Sequence, residues 1–252
     1  MKKINLNKVF EKGKAMYLAY DQGLEHGPSV DFNDKNIDPL YIIEIAKNAG
    51  YNGLIVGKGI AEKYNKEIKK SKVPLIVKLN GKTKLFKGEP ISLQLCSVKE
   101  AIKLGAKAVG YTIYVGSAHE SKMLKEFERI EEEAHVLGLP VIAWIYPRGK
   151  SVKNSNTREM ISYAARIGLE IGADIVKLHW NGNSKDLGWA VKSAGRCKIV
   201  VAGGSKMNEK EFLENVKEII SSGAVGVAVG RNVWQNENPI ELSKKIRKII
   251  FS

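Results

Sequence analysis

Apolar residues in this chain follow two rhythms that alternate from one end to the other. Short runs rich in Val, Ile, Leu and aromatic residues predict strands at 15–22, 53–57, 73–79, 108–113, 140–146, 174–180, 198–203 and 226–230. Between most of them apolar residues recur at helical spacing. Met123, Phe127, Ile130, Ala134 and Leu137 form one such stripe, closed by Gly138. Several helix ends are legible. Asp38 precedes Pro39 in the order expected of a cap and first helical residue, and Gly50 marks the stop. Ser97 and Glu100 have the spacing of a capping box, with Gly105 closing that helix. Segments 157–172 and 208–223 repeat the scheme, and Asn238-Pro239 opens a last helix. The link at 58–72 is short and predicts a marginal helix, and 184–195 predicts a weak one.

Strand–helix alternation of this kind predicts a parallel sheet covered by helices. Eight such units in 252 residues fit a closed (β/α)8 TIM barrel better than an open doubly wound sheet. The open sheet needs one crossover to the opposite edge, which the sequence leaves possible. With no linker, low-complexity tract or shift in composition, residues 1–252 read as a single barrel domain.

A barrel carries its chemistry at the C-terminal ends of its strands and in the loops after them. Strand 1 runs into Asp21, Gln22, Glu25 and His26; strand 5 into Trp144, Tyr146 and Arg148, which share one parity. Strand 7 ends in Gly203, Gly204 and Ser205, and strand 8 in Gly230 and Arg231. Glycine there lets backbone N–H groups approach an anion, and the loops after the last two strands are the usual phosphate site of this architecture. Lys58, Lys78 and Lys177 lie in or beside strand-like runs. An ammonium in an apolar run must find a carboxylate, reach water or lose its proton, and a neutral lysine attacks carbonyls to form a Schiff base. Alternation turns both Lys177 and Lys78 inward and does not choose between them. His119 and His135 read as surface residues beside a helix.

The net charge of +14, from 41 Lys+Arg against 27 Asp+Glu, favours anionic partners. The lysines are spread along helices, without a nucleic-acid motif or a basic groove interleaved with aromatics, so a phosphorylated small molecule fits better than nucleic acid. No apolar run reaches membrane-spanning length and no signal peptide is evident; two cysteines without metal or disulfide spacing point to a reducing cytoplasm. No His, Cys and carboxylate spacing fits a metal, so no metal and no cofactor are expected.

The stretches AYDQGLEHGP, GYTIYVGS, WIYPRG, ADIVKLHWNG, VVAGGSK and AVGRN, in that order and across nearly the whole chain, resemble the archaeal-type class I fructose-bisphosphate aldolases. The resemblance implies reversible, metal-independent cleavage of fructose 1,6-bisphosphate into dihydroxyacetone phosphate and glyceraldehyde 3-phosphate through a Schiff base. It assigns the imine to Lys177, proton transfer to Tyr146 and a polar role beside the imine to Asp21. It places Trp144 and His26 in the pocket and Arg148, Gly204, Ser205, Gly230 and Arg231 at phosphates. It also implies a homo-oligomer, often a decamer. A related branch of transaldol-type 2-amino-3,7-dideoxy-heptulosonate synthases is similar in YPRG, DIVK and AGG. That branch departs in the first loop and at the position of Trp144. A phosphate-binding barrel isomerase, in which Lys177 is inert, is the remaining reading.

Overall fold

The computed structural model describes residues 4–252. Eight parallel strands close into a barrel: β1 (Ala15–Ala19), β2 (Gly53–Gly57), β3 (Leu75–Lys78), β4 (Ala108–Val115), β5 (Val141–Pro147), β6 (Ile175–His179), β7 (Lys198–Ala202) and β8 (Gly226–Val229). Every strand pairs with its sequence neighbours, and β1 pairs with β8 to complete the ring. The strands are nearly continuous apolar runs because both faces are covered, one by the barrel interior and one by helices. The closed topology settles the choice against an open sheet.

The major covering helices are those the spacing predicts: Pro39–Asn48, Val98–Leu104, Glu120–Val136, Arg158–Glu170, Glu209–Ser221 and Pro239–Phe251. Four of them are capped by the side chains the sequence singles out, whereas Asn238 opens the last helix without a side-chain cap bond. The Asp38, Ser97, Thr157 and Asn208 side chains accept from Leu40, Glu100, Met160 and Glu211 N–H groups respectively, each cap being worth about 1 kcal/mol.

Five differences from the sequence reading have local causes. Strand β1 stops at Ala19, and Asp21 begins a short helix, Gln22–His26, that turns the loop back over the barrel mouth. Strands β4 and β5 run past the predicted ends because Tyr114 and Val115 pair with Tyr146 and Pro147. The link after β2 folds as two short helices, Lys58–Lys63 and Asn65–Ser71. The segment read as a weak helix is a ten-residue one, Ser184–Ser193. Asn183 caps it by accepting from the N–H groups of Lys185 and Asp186, and Leu187 and Ala190 are buried. His135 is not a free surface residue: its ring touches Glu131 at 2.6 Å and Asp174 at 3.0 Å, tying its helix to the start of β6.

One glycine in the wall bears directly on the site. A Cβ on Gly110 would stand 1.7 Å from the Trp144 ring, so the indole fills the space that a side chain there would occupy. After β3 the chain forms a two-residue ladder, Asn80–Gly81 with Leu93–Gln94. Buried Asn80 anchors it by donating to the carbonyls of Ser92 and Thr112 at 2.9 and 2.8 Å.

Candidate active site

A cavity of about 130 Å³ opens at the C-terminal ends of the strands. Its walls include Asp21, His26, Trp144, Tyr146, Arg148, Lys177, Gly203, Gly204, Gly230 and Arg231, all singled out from the sequence. Ser205 is the exception: it lies exposed at the outer rim. Lys58 also lies outside this cavity, half-exposed and paired with Glu100 at 2.6 Å.

Lys177 and Lys78 both reach the cavity, but in different company. Lys78, 5% exposed, lies 3.1 Å from Asp21 Oδ2 and also donates to Glu25 Oε1. Burial works against its charge, but the two carboxylates outweigh burial and raise its pKa above the ordinary lysine value. Lys177, 6% exposed, has no carboxylate within ion-pairing distance among the described residues; its ammonium lies over the Trp144 ring, 5.1 Å from the centroid. Burial dominates there and, with the neighbouring Lys78 charge, pushes its pKa down to about 8 against the partial opposition of Asp21 and Glu25. A lysine in that state supplies neutral amine near pH 8, the form that attacks a carbonyl. Strand register puts this pair together, since Trp144 and Lys177 are partners across β5 and β6.

Asp21 is held ionised although burial alone would raise its pKa, because Lys78 and Lys177 lower it. Tyr146 goes the other way. Burial, reinforced by Asp21 and Glu25, raises its phenol well above the ordinary value, so it carries a proton to give. Its ring stacks on His179 with centroids 4.1 Å apart. Burial, with Arg148 and Lys177 adding to it, lowers the His179 pKa to about 3 and leaves that imidazole neutral. Arg148 lies over the Tyr146 and Tyr114 rings, 5.3 and 5.8 Å from their centroids, with no ion-pair partner among the described residues.

On the far wall the β7 and β8 loops are stitched together. Asn232 donates to the carbonyls of Gly203 and Ser205 at 2.8 and 2.9 Å and accepts from the Met207 N–H at 2.9 Å. Gly204 holds φ at +72°, a region that favours glycine. Behind Gly230 the short helix Arg231–Trp234 begins, with first-turn N–H groups that have no intrahelical acceptor. Arg231 is fixed by Asp31 Oδ1 at 3.3 Å, and the other oxygen of the same carboxylate takes His26 Nδ1 at 2.5 Å. The β1 loop and the β8 loop are therefore clipped together by one buried carboxylate. The result is a cup with an amine at its base, a phenol beside it, and two cationic rims.

The sequence reading gave no role to Glu25, Asp31 or Asn232, and held Lys78 only as the alternative to Lys177. Glu25 stood among the polar residues that follow strand 1, and Lys78 shared the inward parity of Lys177. Nothing in the spacing links Asp31 to Arg231, which are 200 residues apart.

The family model for DeoC/LacD family aldolases matches residues 15–236. Among curated relatives, the class 1 fructose-bisphosphate aldolase of Thermoproteus tenax is 47% identical over 243 residues, covering 95% of this chain and 90% of its own length. The class 1 fructose-bisphosphate aldolase of Halobacterium salinarum is 42% identical over 245 residues, covering 96% and 92%. An archaeal fructose-1,6-bisphosphate aldolase, solved with its catalytic lysine covalently bound to the carbinolamine intermediate, superposes with a TM-score of 0.92. The two chains are 44% identical, and the match covers 98% of each.

Proposed function

This chain belongs to the DeoC/LacD aldolase family, and on that premise we propose that Lys177 is its Schiff-base lysine and Tyr146 its proton donor. The protein is a class I fructose-bisphosphate aldolase, cleaving fructose 1,6-bisphosphate to dihydroxyacetone phosphate and glyceraldehyde 3-phosphate. The relatives' names favour this over the transaldol-type synthase. The observation that carries the residue assignment is the contrast between the two buried lysines: Lys177 has a depressed pKa and no carboxylate partner, and Lys78 has two.

Neutral Lys177 attacks the C2 carbonyl, and loss of water from the carbinolamine leaves an iminium. Tyr146, having given its proton to the carbinolamine hydroxyl that leaves as water, takes the C4 hydroxyl proton as the C3–C4 bond breaks and its electron pair flows into the iminium to give an enamine. Glyceraldehyde 3-phosphate leaves. Tyr146 protonates the enamine at C3, and hydrolysis of the resulting imine frees dihydroxyacetone phosphate and the amine. Asp21 keeps its negative charge next to the iminium, which lowers the cost of forming a cation in a buried site. The Gly203, Gly204, Gly230 and Arg231 loops take one phosphate, with Ser205 at their rim, and Arg148 takes the other; Trp144 and His26 line the pocket between. Holding both ends aligns the C3–C4 bond with the iminium, and such positioning supplies on the order of 7 kcal/mol or more at best.

The wider setting follows the resemblance: a cytoplasmic homo-oligomer, decameric by analogy, serving glycolysis or gluconeogenesis. Borohydride reduction in the presence of dihydroxyacetone phosphate, followed by peptide mass mapping, tests the chemistry. A reduced adduct on Lys177 is expected. An adduct on Lys78 overturns the residue assignment, and an absence of adduct from protein that binds the ketone overturns the mechanism.

A further inference from the structure

Gln22 opens the short helix after β1, directly behind Asp21. Its carboxamide lines the mouth cavity, where it makes no hydrogen bond among the described residues, and its oxygen Oε1 is shielded from solvent. The other side of the same group rests on the turn after β8: a Cβ on Gly230 would stand 2.6 Å from Gln22 Nε2. Packing holds this carboxamide in place, not polar partners. Trp144 offers the complement. Its Nε1 is likewise buried without an acceptor, and its indole lines the same cavity. Buried polar atoms in native proteins are satisfied almost without exception, so an unpaired acceptor and an unpaired donor on two residues that line one cavity mark contacts that a ligand completes.

We propose that Gln22 is a specificity-determining residue that accepts a hydrogen bond from the hydroxyl next to the ketone carbonyl of the substrate; this rests on the aldolase reading above. An acceptor oxygen needs a donor. In dihydroxyacetone phosphate the carbonyl and the phosphate dianion only accept, which leaves the C3 hydroxyl. Position agrees with chemistry, because Gln22 lies between Asp21, at the imine-forming end, and the Gly230 turn, at the phosphate end. A ketone without that hydroxyl leaves Oε1 buried and unpaired, and sites built to bond a hydroxyl reject analogues that lack it.

The test compares borohydride trapping on Lys177 by dihydroxyacetone phosphate and by hydroxyacetone phosphate, which lacks the C3 hydroxyl. The wild-type protein is expected to half-saturate with the hydroxylated ketone at a concentration about tenfold lower. Gln22→Met keeps the side chain's length and removes the acceptor. It is expected to raise half-saturation about tenfold for dihydroxyacetone phosphate and less than about twofold for the deoxy ketone, so that the preference disappears. Equal weakening of both ketones overturns the proposal and leaves Gln22 as a packing residue against Gly230. A wild type with no preference overturns it however the variant folds. A wild type that traps neither ketone on Lys177 overturns the aldolase reading, and this inference with it.

Discussion

The two lysines at the mouth of the barrel are equally buried and point into the same cavity, yet they occupy opposite electrostatic situations. Lys78, at the end of β3, is clasped by two carboxylates delivered by the loop after β1. Lys177, on β6, is given an indole face and a hydrophobic wall. Burial penalises both charges, and only company decides the outcome: the first keeps its proton and the second is ready to shed it near pH 8. The β1 loop thus stabilises one cation and, by committing its carboxylates there, leaves the other amine uncompensated. The reactive lysine is the one without a partner.

The same substitution at the two positions should break this symmetry most visibly. Lys177→Met abolishes imine trapping and turnover. It also removes a buried amine whose proton is unwelcome, so the variant should be more stable than wild type at pH 7 by up to about 3 kcal/mol. Lys78→Met has the opposite sign: it strands Asp21 and Glu25 as buried carboxylates and should destabilise by about 3–5 kcal/mol. Imine formation survives, but with the Lys78 charge gone the Lys177 amine binds its proton more tightly, and the pH–rate profile moves towards alkaline values. Urea unfolding and trapping rates on both variants check the pair. Two losses of stability of equal size would refute the contrast.

That contrast was out of reach of the sequence, and the reason is geometric. Periodicity is a local signal, and it was enough to find all eight strands, the closed barrel and the inward parity of Trp144, Tyr146, Lys177 and Lys78. Resemblance chose Lys177 over Lys78, where alternation could not. What distinguishes them physically is where Asp21 and Glu25 go, and that depends on a five-residue helix in a segment that was read as a strand end and the loop after it. The Asp31 clip escaped because it joins loops brought together only by barrel closure, and the Asn232 stitch because it rests on a side-chain contact between the loops of two neighbouring strands, which periodicity does not report. Ser205 is exposed in the loop after β7 and does not line the cavity, which its place in a phosphate-like motif did not show.

pH sharpens the comparison in a single protein. The folded chain releases the Lys177 proton near pH 8, and an unfolded lysine holds it to 10.5. Between those values the unfolded state binds more protons, so this group makes stability rise with pH across the window, by roughly 3 kcal/mol at most. Lys78 is the mirror case. Its pKa is raised on folding, so its contribution is complete below 10.5 and is lost only as pH climbs through its higher folded value. Imine trapping should likewise accelerate as pH passes about 8 and then level off. The difference in unfolding free energy between wild type and Lys177→Met isolates the first term, and a difference that does not shrink from pH 8 to 10.5 would contradict it.

The smallest effect expected is at Glu25. Glu25→Gln leaves Lys78 one carboxylate, Asp21 at 3.1 Å, so the buried ammonium stays compensated. The loss of stability should stay within about 1.5–3 kcal/mol, the range for a hydrogen bond to a charged group, and below that of Lys78→Met. Its influence on Lys177 has the opposite sign from that of Lys78. Glu25 helps hold a proton on Lys177, and removing its charge should lower the Lys177 pKa slightly and move the trapping profile towards acid. Two neighbours of one amine, neutralised one at a time, should therefore displace the same titration in opposite directions. If both substitutions moved it the same way, the displacement would reflect a general loosening of the β1 loop, and the division of charge between the two lysines would no longer explain why one of them reacts.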